Sequence, residues 1–210
     1  MPARIVVLAG VNGAGKSSVT GTAILQGGGA FYNPDAAARA LLEHSADLTQ
    51  EQANAQAWAL GRDGLQRALA RSEFFAFETT LGARTIPALL IAGAEQGAEI
   101  QVSFVGLSTP ELHIARVKSR VAAGGHDIPE AKIRERYTTS RENLIRLLPH
   151  LASLRVYDNS AECDLKSGET PAPTLLLHLS GGRLVQHAPL DRIPDWAKPV
   201  LGAALMRFDA

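Results

Sequence analysis

The sequence predicts an α/β fold, a mostly parallel sheet covered by helices on both faces. A short β-branched run, "RIVVLA" at residues 4–9, ends at a glycine-rich loop, as a buried parallel strand does. Further apolar strands at 74–78 and 99–107 alternate with helical segments, which favours parallel pairing. Such sheets bind ligands beyond the carboxyl ends of their strands, so the loops after residues 9, 32, 78 and 107 are expected along one rim.

Capping residues mark where the predicted helices begin. Asn33, Pro34 and Asp35 suit the N-cap, the first helical position and the first turn. "TQEQ" at 49–52 is a capping-box pattern, and Thr109 is an N-cap that precedes a proline. In chain order, the predicted elements are a strand at 4–9, a helix at about 15–26, a strand at 31–32, helices from 33 and at 49–72, a strand at 74–78, a helix at 85–98, a strand at 99–107, helices at 109–123 and 130–148, a strand at 154–160, a hairpin at 174–188 with "SGG" as its turn, and a final helix at 193–208 perturbed by Pro199.

Composition narrows the class of protein. The 210 residues include 21 basic and 21 acidic side chains, and this zero net charge removes the bulk electrostatic argument for a nucleic-acid or membrane partner, although a local basic patch stays open. Cys163 is the only cysteine, which fits a reducing cytosol, and no apolar run approaches the about 18 residues of a membrane span. We expect a cytoplasmic protein with one domain at 1–210, a lid at about 110–148, and a C-terminal hairpin and helix from about 174.

A complete phosphate-binding motif follows the first strand. "GVNGAGKS" at 10–17 matches G-x-x-x-x-G-K-[ST], in which the glycines let backbone N–H groups point at phosphate oxygens. Lys16 is placed to reach the β- and γ-phosphates, and Ser17 to ligate Mg²⁺. The motif predicts a P-loop NTPase/kinase-like fold that binds ATP or another nucleoside triphosphate with Mg²⁺. The nucleotide-binding residues are Gly10, Val11, Asn12, Gly13, Ala14, Gly15, Lys16, Ser17 and Ser18.

Asp35 follows the predicted second strand, on the same rim as the phosphate loop. Local sequence leaves two roles open: a helix cap, or a base for the hydroxyl of a phosphoryl acceptor. The two roles are compatible, because a carboxylate in the first turn of a helix is held rigidly.

Glu78 ends the apolar strand "FFAFE" and is followed by two threonines. An acid at this point is either a solvated strand terminus or a contact to a substrate hydroxyl or a metal-bound water. Thr79 and Thr80 can add hydroxyl contacts, although threonine is also common in strands. Arg84 is either a clamp for phosphate or substrate or a solvated residue near a helix start. These four residues are the substrate-binding candidates.

The helix predicted at 109–123 has two distinct sides. At about 100° per residue, Ile114, Val117 and Val121 fall together. His113, Arg116 and Arg120 fall on the opposite side, which in most helices is solvated. This helix leads into a break, "GGHDIP", before a second helix. An Arg-rich helix–loop–helix beside a phosphate loop is typical of a lid that closes over a nucleotide.

Two further lid candidates lie beyond that first helix. Arg136 sits at the edge of an apolar stripe, where a guanidinium requires an anion or a structural partner such as a glutamate. His126 lies in the break, as a lid contact or as an ordinary loop residue. With Arg116, they complete the set of lid candidates.

Taken together, "GVNGAGKSS", "YNPDAA", "ETTL" and "RVAAGGHDIPEAKIRERYTTSRENL" resemble the zeta-toxin family of P-loop kinases, in particular its short chromosomal members. The resemblance covers about residues 4–160. It implies phosphorylation of a sugar hydroxyl of UDP-N-acetylglucosamine, and often a small antitoxin that blocks the ATP site. It also implies roles for individual residues: Lys16 and Ser17 for nucleotide and Mg²⁺, Asp35 as general base, Glu78 and Thr80 as substrate contacts, and Arg120 as a γ-phosphate contact.

The chain departs from the family at one lid position. The better-known plasmid members carry an arginine where "HDIP" has His126, which bears on toxicity, substrate and rate. Arg116 and Arg136 are the residues that can compensate.

The leading hypothesis is an ATP-dependent kinase for a hydroxyl of a small molecule, with a nucleotide sugar as the favoured acceptor. Lys16 and the lid arginines would stabilise the migrating phosphoryl group, and Asp35 would orient and deprotonate the acceptor. Within the kinase class, the alternative acceptors are an antibiotic or a polynucleotide 5′ end. A different class is an ATP-binding switch or partner module that transfers nothing.

Overall fold

The structure of the chain is a computed structural model that describes residues 1–16, 31–45, 47–161 and 171–208. Ser17, Ser18 and Cys163 lie outside these ranges. Most of the helix predicted at about 15–26 also lies outside them. The described strands are β1 (Arg4–Ala9), β2 (Phe31–Tyr32), β3 (Phe74–Thr79), β4 (Glu99–Gly106), β5 (Ser153–Asp158), β6 (Thr174–Ser180) and β7 (Arg183–His187). The described α-helices are α1 (Pro34–His44), α2 (Gln50–Arg71), α3 (Thr85–Glu95), α4 (Pro110–Ala122), α5 (Glu130–Leu147) and α6 (Lys198–Phe208).

The strands form one mixed sheet in the order β2-β3-β1-β4-β5-β6-β7. The first five strands in this order are parallel, and β6 and β7 add an antiparallel hairpin at one edge. The strands β1 to β4 therefore end at the same rim, so the segments that follow them can build one site.

The core lies on both faces of the central strand β1. Ile5 and Val7 are fully buried in a large cluster that includes residues from α2, α3, α5 and α6. Leu8 points to the opposite face and packs with Ala14 and Val105. Burial on both faces explains why β1 is continuously apolar.

The helix starts agree with the capping signals. The side chain of Asn33 accepts a hydrogen bond from the Ala36 N–H at 3.0 Å, and Thr49 forms the predicted capping box. Thr109 accepts from the Leu112 N–H at 3.2 Å. Each cap satisfies an N–H group that the helix itself leaves unpaired.

The C-terminal segment differs from the prediction. The final helix begins at Lys198 rather than at 193, after a short 3₁₀ turn at Leu190–Arg192. Pro199 therefore lies in the first turn, where a missing N–H costs nothing, and it does not perturb the helix interior. The hairpin turn is as expected, with Gly181 and Gly182 at φ of 57° and 69°.

Within the described ranges, none of the helices combines the length and apolar character required to cross a membrane.

Candidate functional site

The phosphate loop connects β1 to the rim in a backbone conformation that requires glycine. Gly10, Gly13 and Gly15 have φ of 143°, 81° and 74°, all in the left-handed region. A Cβ on Gly13 would lie 2.6 Å from the His113 carbonyl oxygen, and a Cβ on Gly10 would collide with that of Val105. The glycine spacing of the motif therefore reflects both conformation and close packing against β4 and α4.

Three side chains from distant parts of the chain hold the loop. The His113 ring donates from Nδ1 to the Asn12 carbonyl oxygen at 2.9 Å. The Arg136 Nη1 donates to the Asn12 side-chain oxygen at 2.8 Å, and the Asn159 Nδ2 donates to the Ala14 carbonyl oxygen at 2.9 Å. The loop is thus fixed to α4, to α5 and to the end of β5.

His113 corrects the helical-wheel prediction. It lies on the side of α4 predicted to be solvated, yet it is only 1% exposed. Its ring packs edge-on against Tyr137 of α5, with ring centroids 5.8 Å apart. Burial lowers its pKa from 6.5 to about 4, with smaller contributions from Lys16 and nearby arginines. His113 is therefore neutral at physiological pH.

Lys16 is buried, and its side chain folds back onto the loop. Its Nζ donates to the carbonyl oxygens of Gly10 and Val11 at 2.8 and 3.4 Å. It also lies 3.2 Å from Oε1 of Glu78, at the end of β3. The other carboxylate oxygen of Glu78 accepts from the Asn33 Nδ2 at 3.1 Å. One network therefore joins the phosphate loop, β3 and the N-cap of α1.

Asp35 projects from the first turn of α1 towards the lid segment, residues 110–148. Its carboxylate lies 3.6 Å from Arg120 Nη1 and 3.8 Å from His126 Nε2. Arg120 also donates from Nη2 to the His126 carbonyl oxygen at 3.2 Å. Its Nε is buried and has no hydrogen-bond partner among the described residues. A carboxylate and an arginine with a spare donor thus face each other beside the phosphate loop.

Two cavities beside the phosphate loop share part of their walls. A larger cavity of about 910 Å³ lies over the phosphate loop, with Arg116 and Arg120 in its wall. A smaller cavity of about 350 Å³ lies between α2, β3 and the lid segment, with Thr80, His126 and Arg136 in its wall. The residues that line both cavities are Asn12, Lys16, Asp35 and Glu78.

The loop after β3 forms part of the wall of the smaller cavity. The hydroxyl oxygens of Thr79 and Thr80 accept from the N–H groups of Leu81 and Gly82 at 3.1 and 3.3 Å. The Asn143 side chain of α5 donates to the Leu81 carbonyl oxygen at 2.7 Å. This support holds Leu81 at a φ of 54°, in the left-handed region.

The structure brings together most of the residues singled out from the sequence. The exception among the described candidates is Arg84, which is exposed at the start of α3 and lines neither cavity. Arg136 is half-buried, and its contact to Asn12 is to a neutral amide oxygen rather than to the anion expected. Burial lowers the pKa of Arg136, although Glu135 and Asp35 act in the opposite direction.

Sequence reasoning missed His113 and Asn159 as supports of the loop. Asn159 directly follows a parallel strand, β5, and the rule that sites form at such ends was a usable signal. His113 had no comparable signal, since its burial depends on contacts with α5 and the phosphate loop.

No protein-family model matches the chain. A stretch covering 30% of the chain is 33% identical, over 63 residues, to an uncharacterized protein of Haemophilus influenzae. That stretch spans 45% of the relative, less than half of its length.

Solved structures resemble the chain over nearly its whole length. The AvrRxo1-ORF1:AvrRxo1-ORF2 complex with sulphate ions matches 97% of this chain at a TM-score of 0.64 and 14% identity, and the match spans 64% of that protein. The same complex was also solved with ATP and matches at a TM-score of 0.63. The PezAT chromosomal toxin–antitoxin system of Streptococcus pneumoniae matches 100% of this chain and 79% of its own at a TM-score of 0.53 and 13% identity. The predicted α/β fold with a mostly parallel sheet is thereby confirmed.

Proposed function

We propose that the chain is an ATP-dependent kinase that phosphorylates a hydroxyl of a small molecule. The observation that carries this proposal is the junction of two cavities at Lys16, Asp35 and Glu78. A kinase requires a nucleotide and an acceptor that approach one phosphoryl group from different sides. A protein that only binds or hydrolyses ATP does not require the second cavity.

On the donor side, ATP occupies the larger cavity, with its phosphates over the loop at residues 10–16. Lys16 moves its Nζ from the loop carbonyls and Glu78 to the β- and γ-phosphates. Arg120 and Arg116 line this cavity, and the Arg120 Nε has no hydrogen-bond partner among the described residues, so the Arg120 guanidinium is the proposed contact for a γ-phosphate oxygen. These cations neutralise the charge of the phosphoryl group during transfer.

Mg²⁺ fits this arrangement. Among the described residues, no group of three His, Cys, Asp or Glu side chains is placed to hold a metal ion by itself. Mg²⁺ takes most of its ligands from phosphates and water and needs few from the protein, and Glu78 and Asp35 both line the nucleotide cavity. When bound, it supplies charge neutralisation at the β- and γ-phosphates. Its proposed protein ligand, Ser17, lies outside the described residues.

On the acceptor side, Asp35 is the general base. The acceptor hydroxyl gives its proton to the Asp35 carboxylate while its oxygen bonds to the γ-phosphorus, and the bond from that phosphorus to ADP breaks. Asn33 caps the helix that carries Asp35, which fixes the base relative to Lys16. Glu78, Thr79 and Thr80 line the smaller cavity and are proposed contacts for the other hydroxyls of the acceptor.

A nucleotide sugar such as UDP-N-acetylglucosamine is the acceptor that we propose. The resemblance of the sequence motifs to the zeta-toxin family supports this choice, and the polar side chains among those that line the smaller cavity suit a sugar with several hydroxyls. A small antitoxin that covers the ATP site is the proposed protein partner. The two-component AvrRxo1 complex and the PezAT toxin–antitoxin system support that part of the proposal.

The test is incubation with ATP, Mg²⁺ and a panel of nucleotide sugars, free sugars, aminoglycosides and a 5′-hydroxyl oligonucleotide, read by mass spectrometry. We expect a gain of one phosphoryl group on a nucleotide sugar and none with the Lys16→Met variant. Phosphorylation of another panel member would support the kinase activity and replace the proposed acceptor. Bound ATP without a gain on any member would refute the proposal in favour of a nucleotide-binding module.

A further inference from the structure

One stripe of α2 faces the smaller cavity. Asn54, Trp58, Gly61 and Arg62 follow the spacing of a single helix face, and all four line the cavity. The opposite wall comes from β3 and the lid segment and includes Glu78 and Arg136. An aromatic side chain and the proposed catalytic groups therefore share one volume.

Trp58 differs in environment from the other tryptophan of the chain. Trp196 is 3% exposed and donates from its ring N–H to Asp158 at 3.0 Å. Trp58 is 41% exposed although it is one of the largest apolar side chains. An exposed indole in the wall of a cavity offers a flat apolar face to a ligand.

The position of Trp58 is well supported. The Arg62 guanidinium lies 5.2 Å from the centre of the indole ring and is held by Asp63 at 2.7 Å. One turn away, Gly61 packs so closely on Tyr32 that a Cβ would lie 2.7 Å from its ring. The Tyr32 hydroxyl donates to the Ala57 carbonyl oxygen. These contacts fix α2 against β2, so the helix position from which the indole projects is set before a ligand arrives.

We propose that Trp58 is a specificity-determining residue that stacks on the nucleobase of the acceptor. This inference rests on the proposed function, and it names the part of the acceptor that is read away from the reacting hydroxyl. A nucleobase fits because it has a planar face for the indole, while the attached ribose and phosphates provide the groups that Arg62 and the other polar side chains of the wall can bind. The cavity thereby selects acceptors that contain a nucleoside over free sugars.

Binding without transfer tests this inference. The protein is saturated with a non-hydrolysable ATP analogue and Mg²⁺, which fills the donor site. It is then titrated with uridine, cytidine or guanosine 5′-monophosphate, or with ribose 5-phosphate, the matched probe without a base. Tryptophan fluorescence and calorimetry are both recorded. We expect at least one nucleotide to quench the fluorescence and to bind more tightly than ribose 5-phosphate.

Variants assign the effect to the indole. Trp58→Ala should raise the Kd of the bound nucleotide by about 5- to 150-fold, the range for loss of one base–aromatic stack. It should leave the weak binding of ribose 5-phosphate unchanged. Trp58→Phe should keep most of the affinity and lose the quenching, because Trp196 is buried away from the cavity. Leu60→Ala is the control, since Leu60 is exposed on the same helix but lines neither cavity.

The outcomes separate the two proposals. If no nucleotide binds better than ribose 5-phosphate, or if Trp58→Ala binds it as tightly as the wild type, the role of Trp58 is refuted. Transfer to an acceptor with an unchanged KM in Trp58→Ala would refute that role and leave the kinase intact. Base-dependent binding through Trp58 without transfer to any acceptor would support the subsite and refute the kinase.

Discussion

The buried His113 predicts that the stability of the fold falls as the solution becomes acidic. The ring is 1% exposed, and burial lowers its pKa from 6.5 to about 4. The unfolded chain therefore binds a proton at a higher pH than the folded chain does. Above about pH 6.5, protonation of His113 does not reduce the free energy of unfolding. As the pH falls through that value towards about 4, this free energy decreases progressively.

The magnitude follows from the two pKa values. At about pH 5 the unfolded state is nearly fully protonated at this residue and the folded state is not, which costs about 2 kcal/mol of unfolding free energy. Below both pKa values the cost reaches a limit of about 3 kcal/mol. This is a large fraction of the stability of a typical domain.

The assay is urea unfolding of the wild type and His113→Asn at a series of pH values between about 8 and 5. Asparagine does not titrate, and its Nδ2 can replace the ring Nδ1 as donor to the Asn12 carbonyl oxygen. All other ionisable groups are common to both proteins, so the difference between their pH profiles isolates His113. We expect the wild type to lose about 2 kcal/mol more than the variant over this range. Parallel profiles would refute the assignment of His113 as a buried neutral residue.

Two further predictions concern the phosphate loop and its supports. Gly13→Ala places a Cβ 2.6 Å from the His113 carbonyl oxygen, so the ATP affinity measured by calorimetry should fall by about tenfold or more. Gly97 has a φ of 93° and open space around it. Gly97→Ala should therefore cost only about 1–2 kcal/mol of stability and leave the ATP affinity unchanged. Equal ATP affinities for the two variants would contradict the steric argument. Arg136→Ala leaves the Asn12 side-chain oxygen without its donor and should lower the unfolding free energy by about 1.5–3 kcal/mol. Arg134→Ala, on the same helix as Arg136, breaks an exposed ion pair with Glu111 of α4 and should cost less than about 1 kcal/mol. A larger loss for Arg134→Ala than for Arg136→Ala would show that Arg136 does not support the loop.

The elements of the fold were accessible from the sequence because their signals are local. Asn33, Thr49 and Thr109 each bond to an N–H three residues away, so the cap is visible in the sequence itself. The signal of the phosphate loop is also local, because Gly10, Gly13 and Gly15 each adopt a positive φ that the motif requires. Parallel pairing followed from the alternation of strands and helices.

The supports of the site were not accessible in the same way. His113 contacts a residue 101 positions earlier in the chain, and Asn159 one 145 positions earlier. The helical period assigns His113 to the polar side of α4, and only the packing of that side against the loop and Tyr137 makes it buried. The proposed role of Trp58 also depends on tertiary structure, because the helix face that carries Trp58 becomes a cavity wall only when β3 and the lid segment lie opposite.

Asp35 is proposed as the base of a phosphoryl-transfer site rather than only as a residue of a helix start. The measurement is the single-turnover rate of phosphoryl transfer to the acceptor in the wild type and in Asp35→Asn, with ATP affinity measured on the same samples. Asparagine retains the size of the side chain and removes the carboxylate. We expect transfer by Asp35→Asn to be slower by about 10²–10⁴-fold, with nearly unchanged ATP affinity. Transfer at the wild-type rate by Asp35→Asn would contradict that proposal.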